Sequence, residues 1–200
     1  MNGQLSTAEI RQEKLRLRRS LSPVELQTLS DAIADRLLAL PEYKAAGTIE
    51  CYVAMPDEVQ TVRIIGEALR VGKRVIVPVV DRAQRMLTFS ELKHPAIELR
   101  AGHFGILEPA SEYVRPLPLE SAQLVIVPVV AWDERGNRIG HGAGYYDRAL
   151  APLPKHCVSF GLAAEAQRAA AIPAEAYDVR LDAVVTERRV VRFWKGRRGR

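Results

Sequence analysis

Residues Leu124–Leu150 read LVIVPVVAWDERGNRIGHGAGYYDRAL, and the order of the parts in this stretch points to one kind of fold. Leu124 to Val127 form an unbroken apolar run closed by Pro128, the pattern of a strand buried on both faces in a mostly parallel sheet. Asp133-Glu134-Arg135-Gly136-Asn137 is a turn by composition. Gly140-His141-Gly142-Ala143-Gly144 then runs into Tyr145-Tyr146-Asp147-Arg148, which can start a helix. Alternating glycines before a helix let the backbone approach a ligand closely, with free N–H groups turned toward an anion. Arg138 and Arg148 flank the loop with positive charge, and Asp147 adds a carboxylate able to hold a divalent cation that bridges phosphates. Taken alone, a glycine-rich stretch like this is more often only a turn. The Walker loop is excluded, because no Gly-Lys-Ser/Thr follows, and the spacing is not the G-x-G-x-x-G of dinucleotide sites.

Outward from this stretch the chain alternates helix and strand. Thr7–Arg19 reads as a helix carrying Ile10, Lys14, Leu15 and Leu17 among several arginines. Ser22-Pro23-Val24-Glu25 is a capping box with proline at the first helical position, and Leu26, Leu29, Ile33 and Leu37 carry that helix to about Leu40. Thr48–Ala54 is strand-like; Val62, Ile65 and Leu69 make a helical stripe ended by Gly72; Arg74–Val77 is a strand closed by Pro78. Met86–Phe89 and Ile97–Leu99 are expected as short strands, and Phe104–Pro109 as a loop. Later strands are expected at Cys157–Leu162, Ala183–Thr186 and Val190–Phe193, with a short helix or loop at Glu165–Ala171. The alternation predicts an α/β fold, a mostly parallel central sheet with helices on its faces.

Composition agrees with a soluble globular chain: 200 residues, 48% hydrophobic and 26% charged. With no repeat or composition break, residues 1–200 are expected to form one domain, ending in a basic tail from about residue 194. No apolar run approaches the roughly 20 residues of a membrane span, and no secretory signal opens the chain, so a cytoplasmic protein is expected. Cys51 and Cys157 lie far apart in apolar settings and read as buried thiols. The net charge of +5 gathers at Arg11–Arg19 and in the tail. A basic tail with an aromatic pair fits a nucleic-acid contact. A last strand with a solvated end fits it better, so no nucleic-acid partner is expected.

Three further places carry candidate chemistry. In Tyr52-Val53-Ala54-Met55-Pro56-Asp57-Glu58 a strand ends and a carboxylate sits where α/β proteins bind ligands, although Asp57 or Glu58 can equally cap the next helix. Phe104-Gly105-Ile106-Leu107-Glu108-Pro109 is a loop with an aromatic, or simply a buried turn. Asp178 and Asp182 precede a strand, where aspartate is usually a turn residue.

Taken together, the string from Asp133 through Gly136-Asn137-Arg138-Ile139-Gly140 to Tyr145-Tyr146-Asp147-Arg148, with the other three motifs in order, resembles the 5-formyltetrahydrofolate cyclo-ligases. The resemblance runs from Arg11 to Val185 and implies a three-layer α/β/α fold of the NagB/RpiA/CoA-transferase-like class. It implies two substrates, 5-formyltetrahydrofolate and ATP, with Mg2+, and a monomer is expected. ATP would lie along Arg11, Arg138, Ile139, Gly140, His141, Gly142, Ala143, Gly144, Tyr145 and Tyr146. Folate would meet Val53, Glu58, Phe104 and Tyr145, with Glu108 near the nucleotide end. Asp147 and Asp178 would hold magnesium, and Arg138, Tyr145 and Asp147 would be the catalytic set. Thr7 stands where the family carries a lysine, so that charge is absent or comes from a residue such as Lys14. His141 occupies a variable position and is expected as a solvent-facing spacer. Two other classes stay open: a non-catalytic folate- or nucleotide-binding protein, and an RNA-associated protein using the tail.

Overall fold

A computed structural model of the chain describes residues 5–102 and 105–193. It begins with two helices, α1 (Thr7–Arg19) and α2 (Pro23–Ala39), each opened by a serine capping box. Ser6 Oγ accepts from Glu9 N–H, Ser22 Oγ accepts from Glu25 N–H, and each glutamate accepts the backbone N–H of its serine in return. These bonds use donors that the first helical turn leaves without partners. Pro41 stops α2 and opens α3 (Pro41–Ala45).

The sheet follows. Its strands are β1 (Thr48–Cys51), β2 (Arg74–Asp81), β3 (Met86–Leu92), β6 (Leu124–Pro128), β9 (Val158–Leu162), β10 (Ala183–Val185) and β11 (Val190–Arg192). In space the order is β3-β2-β1-β6-β9-β10-β11, with β3 and β11 antiparallel at the edges and all other pairs parallel. Helix α4 (Val62–Arg70) makes the crossover from β1 to β2. Two hairpins stand outside the sheet: β4 (Leu99–Ala101) with β5 (Leu107–Pro109), and β7 (Ala131–Trp132) with β8 (Arg138–Ile139). The short helix α5 (Pro95–Glu98) precedes β4, and α6 (Tyr145–Leu150) follows the glycine loop.

Alternate residues of the sheet feed two cores, as strand geometry requires. Ile49, Leu124, Ile126 and Phe160 pack with Ile33 and Leu37 of α2 and with Ile64, Ile65 and Ala68 of α4. Ile76, Val125, Val127 and Val184 face the other way, against Trp132, Leu150 and the flank of Tyr146. Ile10 of α1 joins Ala131, Ile139 and Ile172 in a smaller cluster, which docks α1 on the β7–β8 hairpin.

Several local expectations are corrected. Strand β2 does not stop at Pro78 but continues to Asp81. Its pairing with β1 ends at Ile76, so the missing proline N–H falls where no ladder bond is needed. Ile97 lies in α5 rather than a strand, and Leu107–Pro109 is a strand rather than a loop; the short helix or loop expected over Glu165–Ala171 is found as the 3-10 turn Glu165–Gln167. On α4 the core stripe is Ile64, Ile65 and Ala68, while Val62 is 73% exposed. Both cysteines are buried, as expected. Among the described residues no helix is long and apolar enough to cross a membrane.

Candidate functional site

The chain leaves β1 toward β2 and leaves β6 toward β9, so β1 and β6 are neighbours whose connections diverge. Their carboxyl ends therefore form a switch point, the place where α/β sheets hold ligands in a crevice. Two loops line it.

The first, Tyr52–Thr61, is tied down from within. The Tyr52 hydroxyl donates to Val59 O (2.8 Å), and Thr61 Oγ1 donates to Tyr52 O (2.8 Å) while accepting from Ala54 N–H (3.3 Å). Glu58 Oε2 accepts the Met55 N–H at 2.9 Å, which aims Oε1 into the crevice, and the residue is only 5% exposed. Neither carboxylate caps α4, whose N-cap is Thr61 without a side-chain bond. Instead Asp57 Oδ2 accepts from Arg18 Nε and Nη2 (3.2 and 2.9 Å), and Arg18 Nη1 lies 3.7 Å from Glu58 Oε1.

The second loop begins on the β7–β8 hairpin. Asp133 is buried and built into that turn: Oδ1 accepts from Arg135 and Asn137 N–H, and Oδ2 from Asn137 Nδ2 and Ile172 N–H. Its role is framework. In the glycine loop the special backbone is at Gly142 (φ 102) and Gly144 (φ 66), left-handed values at which an L side chain is strained. An added Cβ on Gly144 would also sit 2.9 Å from Arg148 Nη1. Arg11 Nε donates to Gly140 O (2.9 Å) and Arg148 Nη2 to Ala143 O (3.0 Å), so α1 and α6 clamp the loop from either end. The Arg148 guanidinium also lies over the half-buried Tyr145 ring, 5.3 Å from its centroid.

His141 is not the spacer expected of it. Its ring is 43% exposed, yet Nε2 lies 3.1 Å from Glu58 Oε1 and joins the two loops across the crevice. On α1 the inward face carries Ile10, Lys14 and Arg18, successive turns of one helix side. Lys14 Nζ rests 2.9 Å from Glu13 Oε1, while Thr7 is the first helical residue.

Arg138 is 8% exposed and places both Nη atoms on Asp147 Oδ1, at 3.1 and 3.0 Å. Val179 N–H donates to the same oxygen at 3.3 Å. Burial pulls the Arg138 pKa down, and the negative charges of Asp147 and Asp178 oppose the shift. Both aspartates therefore act on one place, although Asp178 spends Oδ2 on Glu175 N–H (2.8 Å). Among the described residues no group of three histidine, cysteine or acidic side chains is arranged around a metal site. Each of the two carboxylates keeps an oxygen outside these bonds, and carboxylate oxygen is the donor type that magnesium takes.

The remaining expected residues are dispersed. Val53, itself part of the Glu58 loop, is buried in the core formed with α2 and α4. Glu108 is partly buried, which raises its pKa, and accepts from Val80 N–H at 3.4 Å. Phe104 and the tail from residue 194 lie outside the described residues. Sequence reasoning missed Arg18, hidden in a run of arginines, and Glu50, whose only signal was an acid inside the apolar string TIECYVA. Glu50 Oε1 accepts the Tyr146 hydroxyl at 3.0 Å; burial pushes its pKa up to about 8.

A switch point that gathers Arg11, Lys14, Arg18 and Arg138 beside an open glycine loop defines an α/β protein suited to polyanionic ligands. Comparison with known proteins narrows this class. The chain belongs to the 5-formyltetrahydrofolate cyclo-ligase family, whose model matches residues 4–187. It is 34% identical over 176 residues to the 5-formyltetrahydrofolate cyclo-ligase of Escherichia coli, covering 86% of this chain and 96% of that protein. The Haemophilus influenzae 5-formyltetrahydrofolate cyclo-ligase is 29% identical over 174 residues, covering 86% and 93%. The fold superposes on the NMR structure of Aquifex aeolicus 5,10-methenyltetrahydrofolate synthetase with a TM-score of 0.83 and 31% identity, over 97% of this chain and 96% of that one.

Proposed function

We propose that this chain converts 5-formyltetrahydrofolate and ATP to 5,10-methenyltetrahydrofolate, ADP and phosphate. The observation that carries the reading is the meeting of the Glu58 loop and the glycine loop at the β1/β6 switch point, joined by His141 and Glu58, in a chain of this family.

A formamide carbon is a poor electrophile, and its oxygen is a poor leaving group. Attack of the formyl oxygen on the γ-phosphorus of ATP releases ADP and leaves an iminium phosphate. N10 then adds to the activated carbon and closes the ring, N10 gives up its proton to solvent, and the C–O bond breaks with release of phosphate. Phosphoryl transfer asks the protein for positioning and charge stabilisation rather than a covalent nucleophile. In this reading Gly142 and Gly144 leave loop N–H groups open to phosphate, and Arg11, Lys14 and Arg138 supply positive charge. Ile139, Gly140, His141, Ala143 and Tyr146 complete the nucleotide side. Glu58, Val53, Phe104 and Tyr145 hold the folate, so His141 gives up its contact with Glu58 when folate enters. Asp147 and Asp178 hold the magnesium ion, which when bound neutralises phosphate charge. Lys14, on the inner face of α1, takes over from the lysine absent at Thr7.

The test follows absorbance of the methenyl product when purified protein meets 5-formyltetrahydrofolate with and without MgATP. Product that forms only with MgATP is the expected result. Folate binding by calorimetry without any product would replace the enzyme with a binding protein of the same family.

A further inference from the structure

Glu50 is the residue that the reaction above leaves unused and the fold does not explain. It lies at the middle of β1, between Ile76 of β2 and Val125 of β6, and it is 0% exposed. A carboxyl group there costs stability relative to an apolar side chain of the same size, because its polar atoms leave water. Tyr146 is its side-chain partner, through the hydroxyl at 3.0 Å from Oε1; the Ile126 backbone N–H also favours the carboxylate, and among the described residues the buried Oε2 has no hydrogen-bond partner by distance and angle. Burial keeps the group protonated into the neutral range, so no charge is stranded in the sheet.

Tyr146 stands between Tyr145 and Asp147, at the start of a helix of only six residues. The N-cap of α6 is Gly144, which makes no side-chain bond to the helix, so tertiary ties must set its position. Arg138 and Val179 N–H hold Asp147, Arg148 reaches Arg85 O, and a further tie runs from Tyr146 down to strand β1, 96 positions away in sequence.

We propose that Glu50 is a positioning residue for the reaction: by holding the Tyr146 hydroxyl it sets the first turn of α6, and with it the aim of Tyr145 and Asp147 into the crevice. The proposal rests on the function inferred above. Glu50 touches neither substrate; it acts through Tyr146.

Three variants test it, each followed by steady-state kinetics, thermal melting and amide hydrogen exchange. Glu50→Met fills the same space without the carboxyl, so its melting temperature should equal or exceed that of the parent. Its kcat should nonetheless fall about tenfold, the worth of one hydrogen bond. Tyr146→Phe keeps the ring and should show the same fall, and the double variant should fall no further. Glu50→Gln retains an acceptor for the hydroxyl and should restore kcat to within about threefold. Parent kinetics in Glu50→Met, or losses that multiply in the double variant, would overturn the proposal. If the parent protein shows no turnover, the functional reading fails by itself and exchange decides this one. Amides of residues 145–151 should then exchange about tenfold faster in Glu50→Met and Tyr146→Phe but not in Glu50→Gln. Unchanged exchange would overturn it.

Discussion

Arg138 spends both of its Nη atoms on one oxygen of Asp147, and among the described residues nothing bonds the other oxygen. The pair thus does two things: Asp147 compensates a buried guanidinium through one oxygen, and it keeps the other outside that contact. Replacing the carboxylate by an amide separates them. Asn at 147 still offers Oδ1 to Arg138 and to Val179 N–H, so the fold should persist, with melting lowered by a few degrees at most. Turnover of Asp147→Asn should fall by about a hundredfold or more, as when one preorganised electrostatic group is removed from a reaction site. Kinetics and melting measured together check this, and near-parent turnover would remove Asp147 from the proposed metal site.

At the scale of elements, α1 is the instructive case. Its buried face is Ile10, Lys14 and Arg18, a spacing that looks in sequence like the solvated side of a basic helix. The positive charges face inward because Ile10 docks on the β7–β8 hairpin and turns that side toward the crevice. If Lys14 meets nucleotide phosphate, Lys14→Met should raise the KM for ATP about tenfold, a typical loss for a hydrogen bond to a charged group. Its kcat should change little, the pattern of lost uniform binding. An unchanged KM would leave the position of Thr7 without a replacement. Helix α2 offers a control outside the chemistry. Ser22→Ala removes half of a capping box and should cost about 1 kcal/mol, with full activity kept. For a chain of this size that corresponds to a melting temperature lower by about 2–4 °C.

The same elements show what a sequence makes legible. Leu124–Val127 announced a central strand because burial on both faces leaves no polar position, and α2 announced its start through local caps. Pro78 misled because a proline stops a strand only when its missing N–H faces a paired neighbour, and β1 had already ended there. The glycine loop, Asp147 and Glu58 were legible as single motifs. Their relations were not: His141 meets Glu58 across 83 positions, and no local pattern encodes that contact. Arg18 and Glu50 were illegible for a related reason, since a charged residue in an ordinary-looking run gains its meaning only from tertiary partners.

For the molecule as a whole, two buried acids pull the pH profile in opposite directions. The Arg115 guanidinium beside Glu98 holds its carboxyl down to about 2, below the ordinary 4.5. That contribution is fully present above about pH 4.5 and is lost as pH falls through 2. Glu50 has the reverse sign. Its folded form keeps a proton up to about pH 8 while the unfolded chain loses it near 4.5, so stability declines between those values. The melting temperature should therefore peak on the acid side of neutrality, and Glu50→Gln should flatten the fall toward alkaline pH. A parent melting temperature that climbs steadily from about pH 5 to about pH 8 would contradict this sign.

The clamp from Arg11 Nε to Gly140 O joins residues 129 positions apart. Chains emerge from the ribosome N-terminus first, at roughly 5–20 residues per second. Helix α1 is therefore among the first segments made, yet its landing place, the β7–β8 hairpin and the glycine loop, comes among the later ones. Strand β1 likewise waits for β6, its parallel neighbour at the centre of the sheet. For several seconds of synthesis the inner face of α1 is therefore made and waiting while the residues that will cover it have yet to leave the ribosome.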